Sequence, residues 1–101
     1  MEKKTYCFDI DGTICKTVNG NYQNSKPIKS RISKVNKLYR EGHTIIYFTS
    51  RGFVTGIDWS ELTKKQFKKW RVRFHQVIFG KPYANIYVDD HGFNDKKFFK
   101  R

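Results

Sequence analysis

Acidic residues are scarce. The 101-residue chain has nine Asp and Glu against 21 Lys and Arg, a formal net charge of +12. Such a balance sets up a positive field that draws anionic substrates and binds nucleic acid non-specifically. Cysteine is scarcer still. Cys7 and Cys15 make neither a disulfide framework nor a zinc-ligand spacing. Both are expected to be plain buried thiols, Cys7 because it sits in an apolar strand pattern. No apolar run approaches the ~20 residues of a membrane span. Thr5 to Ile10 is too short for the apolar region of a signal peptide and runs into Asp9 and Asp11. A cytoplasmic protein with no membrane partner is therefore expected. Internal repeats, low-complexity stretches and linkers are also missing, so residues 1–101 are expected to form one domain with a radius of gyration of roughly 13 Å. Aromatic residues, at 17%, are plentiful enough to argue against disorder.

Thr5-Tyr6-Cys7-Phe8-Asp9-Ile10 reads as a strand, stopped by Gly12. Asn19-Gly20-Asn21 signals the tip of a small flap over about residues 14–24. Ile28, Ile32, Val35, Leu38 and Tyr39 share one helical face, with Ser25 as cap, Pro27 in the first turn and Gly42 as the stop. Thr44 to Phe48 is apolar almost throughout, as expected for a strand covered on both faces. Ser60 to about Val72 reads as a second helix with Leu62, Phe67 and Trp70 inward, and Thr63 and Gln66 fit a capping box. Gln76 to Phe79 and Asn85 to Val88 read as third and fourth strands, and the tail from Phe93 as a short basic helix. Strands alternating with helices indicate an α/β layered fold on a parallel sheet.

In open parallel sheets ligands bind beyond the carboxyl ends of the strands. Strand one ends in Asp9-Ile10-Asp11-Gly12-Thr13, strand two in Thr49-Ser50-Arg51-Gly52 and strand four in Asp89-Asp90-His91-Gly92, while Gly80-Lys81-Pro82 follows strand three. Four of the nine acids therefore lie at two strand ends of a basic chain. Gathered carboxylates raise one another's pKa unless a cation joins them, and Mg²⁺ is the usual one where phosphate is handled. Lys81 and Thr49 suit the oxygens of a phosphoryl group.

Asp-Ile-Asp-Gly-Thr after an apolar strand resembles the first motif of the haloacid dehalogenase (HAD) superfamily of phosphohydrolases. Ile45 to Thr49, Lys81 and Ile86 to Asp90 resemble its second, third and fourth motifs, in order, so the likeness runs from about residue 5 to 92. Thr49-Ser50-Arg51-Gly52, Asp58-Trp59, Thr63, Gln66, Trp70 and Phe79-Gly80-Lys81-Pro82 bring the chain close to short capless phosphatases linked to capsule and surface-polysaccharide biosynthesis. More loosely, it is similar to the phosphatase half of phage polynucleotide kinase. The resemblance implies a minimal Rossmannoid three-layer sandwich with a central parallel sheet and no cap domain. It implies Asp9 as the nucleophile that forms an aspartyl-phosphate and Asp11 as the acid and base. Thr49 and Lys81 would hold the phosphoryl group. Mg²⁺ would be held by Asp9, the backbone carbonyl of Asp11 and Asp89, with Asp90 a direct or water-mediated ligand.

Gly12, Thr13, Ser50, Arg51 and His91 are candidate substrate contacts. Arg51 has two readings, a substrate-phosphate ligand or an ion-pair partner. His43 reads as structural, His75 as a surface or strand-edge residue, and Trp59 and Trp70 as packing residues. Six Lys or Arg fall in residues 26–40, six in 64–73 and four in 96–101, first of all as solvated faces. The expected activity is Mg²⁺-dependent hydrolysis of a small phosphorylated metabolite such as a sugar phosphate. The alternatives are a polynucleotide 3′-phosphatase and a non-catalytic domain that binds anions or nucleic acid through its basic faces. A capless site selects substrates poorly by itself. The flap near Gly20, the His91 loop or a neighbouring subunit would then supply specificity, so a homo-oligomer is an expectation. The chain is also short after the fourth motif, so a fifth strand is either absent or supplied by another subunit.

Overall fold

In the computed structural model, which describes residues 2–100, the chain is an α/β fold built on a three-stranded parallel sheet with no cap domain. The strands are β1 (Thr5–Asp9), β4 (Thr44–Thr49) and β5 (Gln76–Phe79), in the order β1-β4-β5. Cys15–Lys16 (β2) and Lys26–Pro27 (β3) pair antiparallel as a separate hairpin. Its tip turns through Asn19 and Gly20, both at positive φ, and a 3-10 turn at Tyr22–Asn24 leads into β3. Helix α1 spans Lys29–Arg40, α2 Ser60–Trp70 and α3 Asp95–Phe98. The radius of gyration is 13.4 Å.

Side-chain alternation decides what the sheet faces. Phe8, Ile45 and Tyr47 point to one side and join Ile32 and Val35 of α1 and Phe67 of α2 in a single core. The rings of Tyr47 and Phe67 meet edge to face at 5.1 Å. Both long helices therefore pack on the same face. α3 closes the β1 end of this core, with Phe98 against Tyr6 and Phe8. Its Asn94 cap accepts from the Lys96 amide, as a short helix in a basic tail needs.

The opposite face is thinly covered. Ile46 and Phe48 are half-buried and Ile78 is exposed, so β4 is not sealed on both sides. Cys7 lies on this face and is exposed, against the expectation of a buried thiol; only Cys15 is buried. The strand pattern around Cys7 is right, but no helix among the described residues covers its side.

Three further local expectations are corrected. Ser25 does not cap α1: its Oγ lies 2.5 Å from Thr17 Oγ1 across the hairpin, and Ile28 occupies the cap position with no side-chain bond. Pro27 belongs to β3 rather than to the first helical turn. The strand expected at Asn85–Val88 does not form, and its Ile86, Tyr87 and Val88 are exposed.

The buried hydroxyl of Tyr47 has no hydrogen-bond partner among the described residues. Burial pushes its ionisation up and leaves an unsatisfied polar atom in the core. Tyr47→Phe is therefore expected to leave stability unchanged or raise it by about 1 kcal/mol in urea unfolding. A loss of that size would mean that the hydroxyl is satisfied after all.

Candidate functional site

Three adjacent strand ends build the site. Asp9 closes β1, Thr49 closes β4, and Lys81 follows β5 by two residues. The Lys81 amide donates to the Thr49 carbonyl at 3.1 Å, which extends the β4–β5 ladder. Gly80, at φ 98°, turns the chain sharply there, a conformation that side-chain-bearing residues avoid. The turn brings the Lys81 ammonium over the Phe48 ring at 4.4 Å and within 3.4 Å of Asp9 Oδ2. Burial raises the Asp9 carboxyl above its ordinary pKa, and the Lys81 charge and the Ile10 amide oppose this without cancelling it. Thr49 is buried; its Oγ1 accepts from the Arg51 amide at 3.1 Å.

Asp11 and Arg51 form a second, tighter unit. Arg51 Nε and Nη2 donate to the two Asp11 oxygens, each at 2.9 Å. Nη1 donates to Thr63 Oγ1 at 3.0 Å and to Gln66 Oε1 at 2.7 Å, and Nη2 also approaches Cys15 Sγ at 4.0 Å. The guanidinium stacks over the Tyr22 ring at 4.8 Å. Thr17 Oγ1 donates to Asp11 Oδ1 at 2.6 Å. Burial pushes the Asp11 carboxyl up, but the Arg51 bonds and charge and the Thr17 bond together hold it below its ordinary value. Of the two readings of Arg51, the structure shows the ion pair. A carboxylate held ionised in this way is a poor proton donor, against the acid role that the resemblance implies for Asp11.

Thr63 and Gln66 are not a capping box. They sit inside α2 and accept from Arg51, while Gln66 Nε2 donates to the Tyr22 carbonyl at 2.6 Å. Two buried polar residues one turn apart, amid Leu62 and Phe67, were the sequence signal for a buried partner. Thr17 and Tyr22 carried no such signal. Burial pushes the Cys15 thiol up to about 11, so it stays neutral beside this pair.

The remaining candidates are placed apart from Asp9. Asp89, Asp90 and His91 are exposed on the irregular segment after Lys81. Asp89 Oδ1 accepts from the His91 amide at 2.8 Å, and this bond lowers its carboxyl. His91 Nε2 lies 3.7 Å from Asp90 Oδ2. Among the described residues no three His, Cys, Asp or Glu side chains are gathered to hold a metal ion. With Asp89 and Asp90 exposed on that segment and no such group gathered around Asp9, this arrangement does not fit the Mg²⁺ that the resemblance implies. The Gly12 amide donates to the Cys15 carbonyl, the Thr13 carbonyl accepts from Arg31, and the Ser50 carbonyl accepts from the Phe53 amide. These three residues shape turns around the site. His43 is buried and its Nδ1 accepts from the Lys4 amide, a structural role as expected. His75 Nδ1 likewise accepts from the Ile45 amide at the edge of the sheet.

Gly52 lies next to Arg51 at φ 83°, and a Cβ there would stand 2.1 Å from the Ile57 carbonyl oxygen. Gly52→Ala is expected to cost about 2–3 kcal/mol, from a disfavoured backbone conformation plus the forced shift of loop 52–57. Urea unfolding measures it, and a cost under about 0.5 kcal/mol would show that the loop yields freely.

A crystal structure of a target protein from Vibrio cholerae superposes on this chain with a TM-score of 0.87 at 22% identity, covering 97% of this chain and 89% of that one. That likeness shows the fold. No family model matches the chain, and no curated protein matches it. No helix among the described residues is long and apolar enough to cross a membrane.

Proposed function

We propose that the chain hydrolyses phosphomonoesters of small metabolites, such as sugar phosphates, with Asp9 as the nucleophile. The observation that carries this reading is the Asp9–Lys81 pair, 3.4 Å apart at the carboxyl ends of parallel strands, with Thr49 on the strand between. A carboxylate beside a fixed ammonium is suited to in-line attack on a phosphoryl group whose oxygens the ammonium neutralises. Asp9 attacks phosphorus, the bond to the leaving oxygen breaks, and an acyl phosphate forms. The leaving alkoxide takes up a proton. Water then attacks phosphorus, releasing inorganic phosphate and restoring the Asp9 carboxylate.

Asp11 can supply the leaving-group proton only after Arg51 releases one of its oxygens. While the pair holds, esters with good leaving groups should react first. Aryl phosphates are thus expected to outpace alkyl phosphates. The +12 charge supports an anionic substrate without choosing among them.

The test is phosphate release from a sugar phosphate, an aryl phosphate, a nucleotide and a 3′-phosphorylated oligonucleotide, with and without Mg²⁺. Release from the small esters supports the reading. Preference for the oligonucleotide, with affinity falling steeply with salt, moves the substrate class to polynucleotide ends. Silence on every ester from folded protein overturns the reading in favour of an anion-binding domain.

A further inference from the structure

The segment from Tyr83 to Asp95 is an arm that pairs with no strand among the described residues. Ile86 and Val88 are 77% and 92% exposed, although Asn85–Val88 has the composition of a strand. Short of its last residue, few contacts hold the arm: Tyr87 Oη donates to the Pro82 carbonyl and accepts from the Ala84 amide, and its ring lies 4.2 Å from the Lys81 ammonium. At its far end Asp95 pairs with Arg31 of α1 at 2.8 Å. The arm carries Asp89, Asp90 and Asp95 and no Lys or Arg, so its charge is −3 and the rest of the chain is +12 − (−3) = +15. It is an acidic, apolar strand segment attached to a basic body.

The body has two open sheet edges, the outer edges of β1 and β5, neither paired with a strand among the described residues. The β1 edge, which carries the core residue Phe8 and ends in Asp9, is the matching seat. Thr5–Asp9 contains no Lys or Pro of the kind that guards edges. The open face beside it carries Cys7.

The arm cannot fill that seat in its own chain as a parallel strand. With Asp89 level with Asp9, Asn85 is level with Thr5. Phe79 pairs with Thr49, one residue beyond the level of Asp9. Asn85 would then lie three strand spacings, about 14 Å, to the side of Phe79 and five residues, about 16 Å, back along the strand. The direct line, roughly 21 Å, runs through the sheet itself, and six fully extended residues span only about 20–22 Å. Parallel neighbours need connections of about a dozen residues or more, whereas residues 80–84 provide five. A second copy has no such limit.

We infer that two copies of this chain exchange their arms, Asn85–Val88 of each adding in parallel to the β1 edge of the other. Ile86 and Val88 then join Tyr6 and Phe8 on the helix-covered face, and Tyr87 joins Cys7 on the open face. Six residues separate Val88 from Asp95, so α3 moves with the arm and takes the equivalent seat on the partner's core. Asp89 and Asp90 of the partner subunit arrive beside Asp9. The carboxylates that a divalent cation needs are thus divided between two chains, which accounts for their separation within one. The exchange stands on topology alone; the completed site rests on the phosphatase reading.

The test separates these two. Tyr87→Cys, mildly oxidised, is expected to form a disulfide to Cys7 of the other copy, giving a covalent dimer on non-reducing gels. Adding Cys7→Ser should abolish it, which excludes bridges between the two introduced cysteines. An intrachain disulfide, no disulfide, or a monomer by light scattering at about 100 µM overturns the exchange. Refolding Asp9→Asn together with Asp89→Asn is then expected to restore about a quarter of wild-type phosphate release, since half of the dimers are mixed and each of these holds one intact site. A covalent dimer without that recovery keeps the exchange and overturns the shared site.

Discussion

Asp9→Asn is expected to lower phosphate release by roughly 10³-fold or more while leaving the protein folded. The amide has nearly the shape of the carboxylate but no anionic oxygen to attack phosphorus. Its effect on stability follows from the raised pKa of Asp9. A carboxyl whose folded pKa lies above its unfolded value adds stability below the unfolded pKa. That contribution is lost as pH rises through the folded pKa. At neutral pH ionised Asp9 is therefore a liability that Lys81 only partly offsets. In metal-free buffer the variant should melt no lower than wild type at pH 7, and its advantage should shrink towards pH 4. Phosphate release and melting curves on the same sample check both parts. A variant that stays active, or one that unfolds, removes Asp9 from the nucleophile's place.

Arg51→Met is expected to have the largest effect on stability, about 3–5 kcal/mol. The Arg51 side chain is fully buried, and its loss strands the Asp11 carboxylate together with Thr63 Oγ1 and Gln66 Oε1. Arg51→Lys should rescue little, because one ammonium cannot reproduce a forked pair and two further bonds. Adding Asp11→Asn should recover much of the loss, because it removes the stranded charge. The pH dependence carries the same signature. The folded pKa of Asp11 is depressed, so its stabilising share is present above the unfolded pKa. That share is lost as pH falls through the folded value, and the acid limb below about pH 4 should be shallower in Arg51→Met. Urea unfolding from pH 3 to 7 measures both effects. A single-variant cost under about 1 kcal/mol would mean that the pair is ornamental.

Local pattern was legible wherever local chemistry decides the outcome. Thr44–Thr49 and Gln76–Phe79 are β-rich runs bounded by Gly and polar residues, and both form strands. The apolar spacing from Ile28 to Tyr39 marks α1 correctly, since that face packs on the sheet. Its start was misread because a Ser-x-Pro preceding a helix also suits a hairpin strand, and the hairpin took it. Thr63 and Gln66 satisfy a capping spacing and a ligand spacing equally well, and only the position of Arg51 chooses between them. Asp9 and Lys81 come together because each follows a strand in one parallel sheet. Asp89 and Asp90 do not, because the pattern of Asn85–Val88 records a preference for pairing but not whether an edge lies within reach. The exposure of Cys7 has the same origin: strand alternation marks two faces and leaves open which of them is covered.

The Arg51 guanidinium also has a consequence for how the molecule breathes. It joins Asp11 before the hairpin, the Tyr22 ring within it and the middle of α2, three stretches far apart in sequence. Withdrawing any one of them strands buried partners on the other two. The hairpin and the centre of α2 should therefore open as one cooperative unit. Their slowest amide protons should exchange with solvent deuterium at a common opening free energy, above that of the arm beyond Lys81.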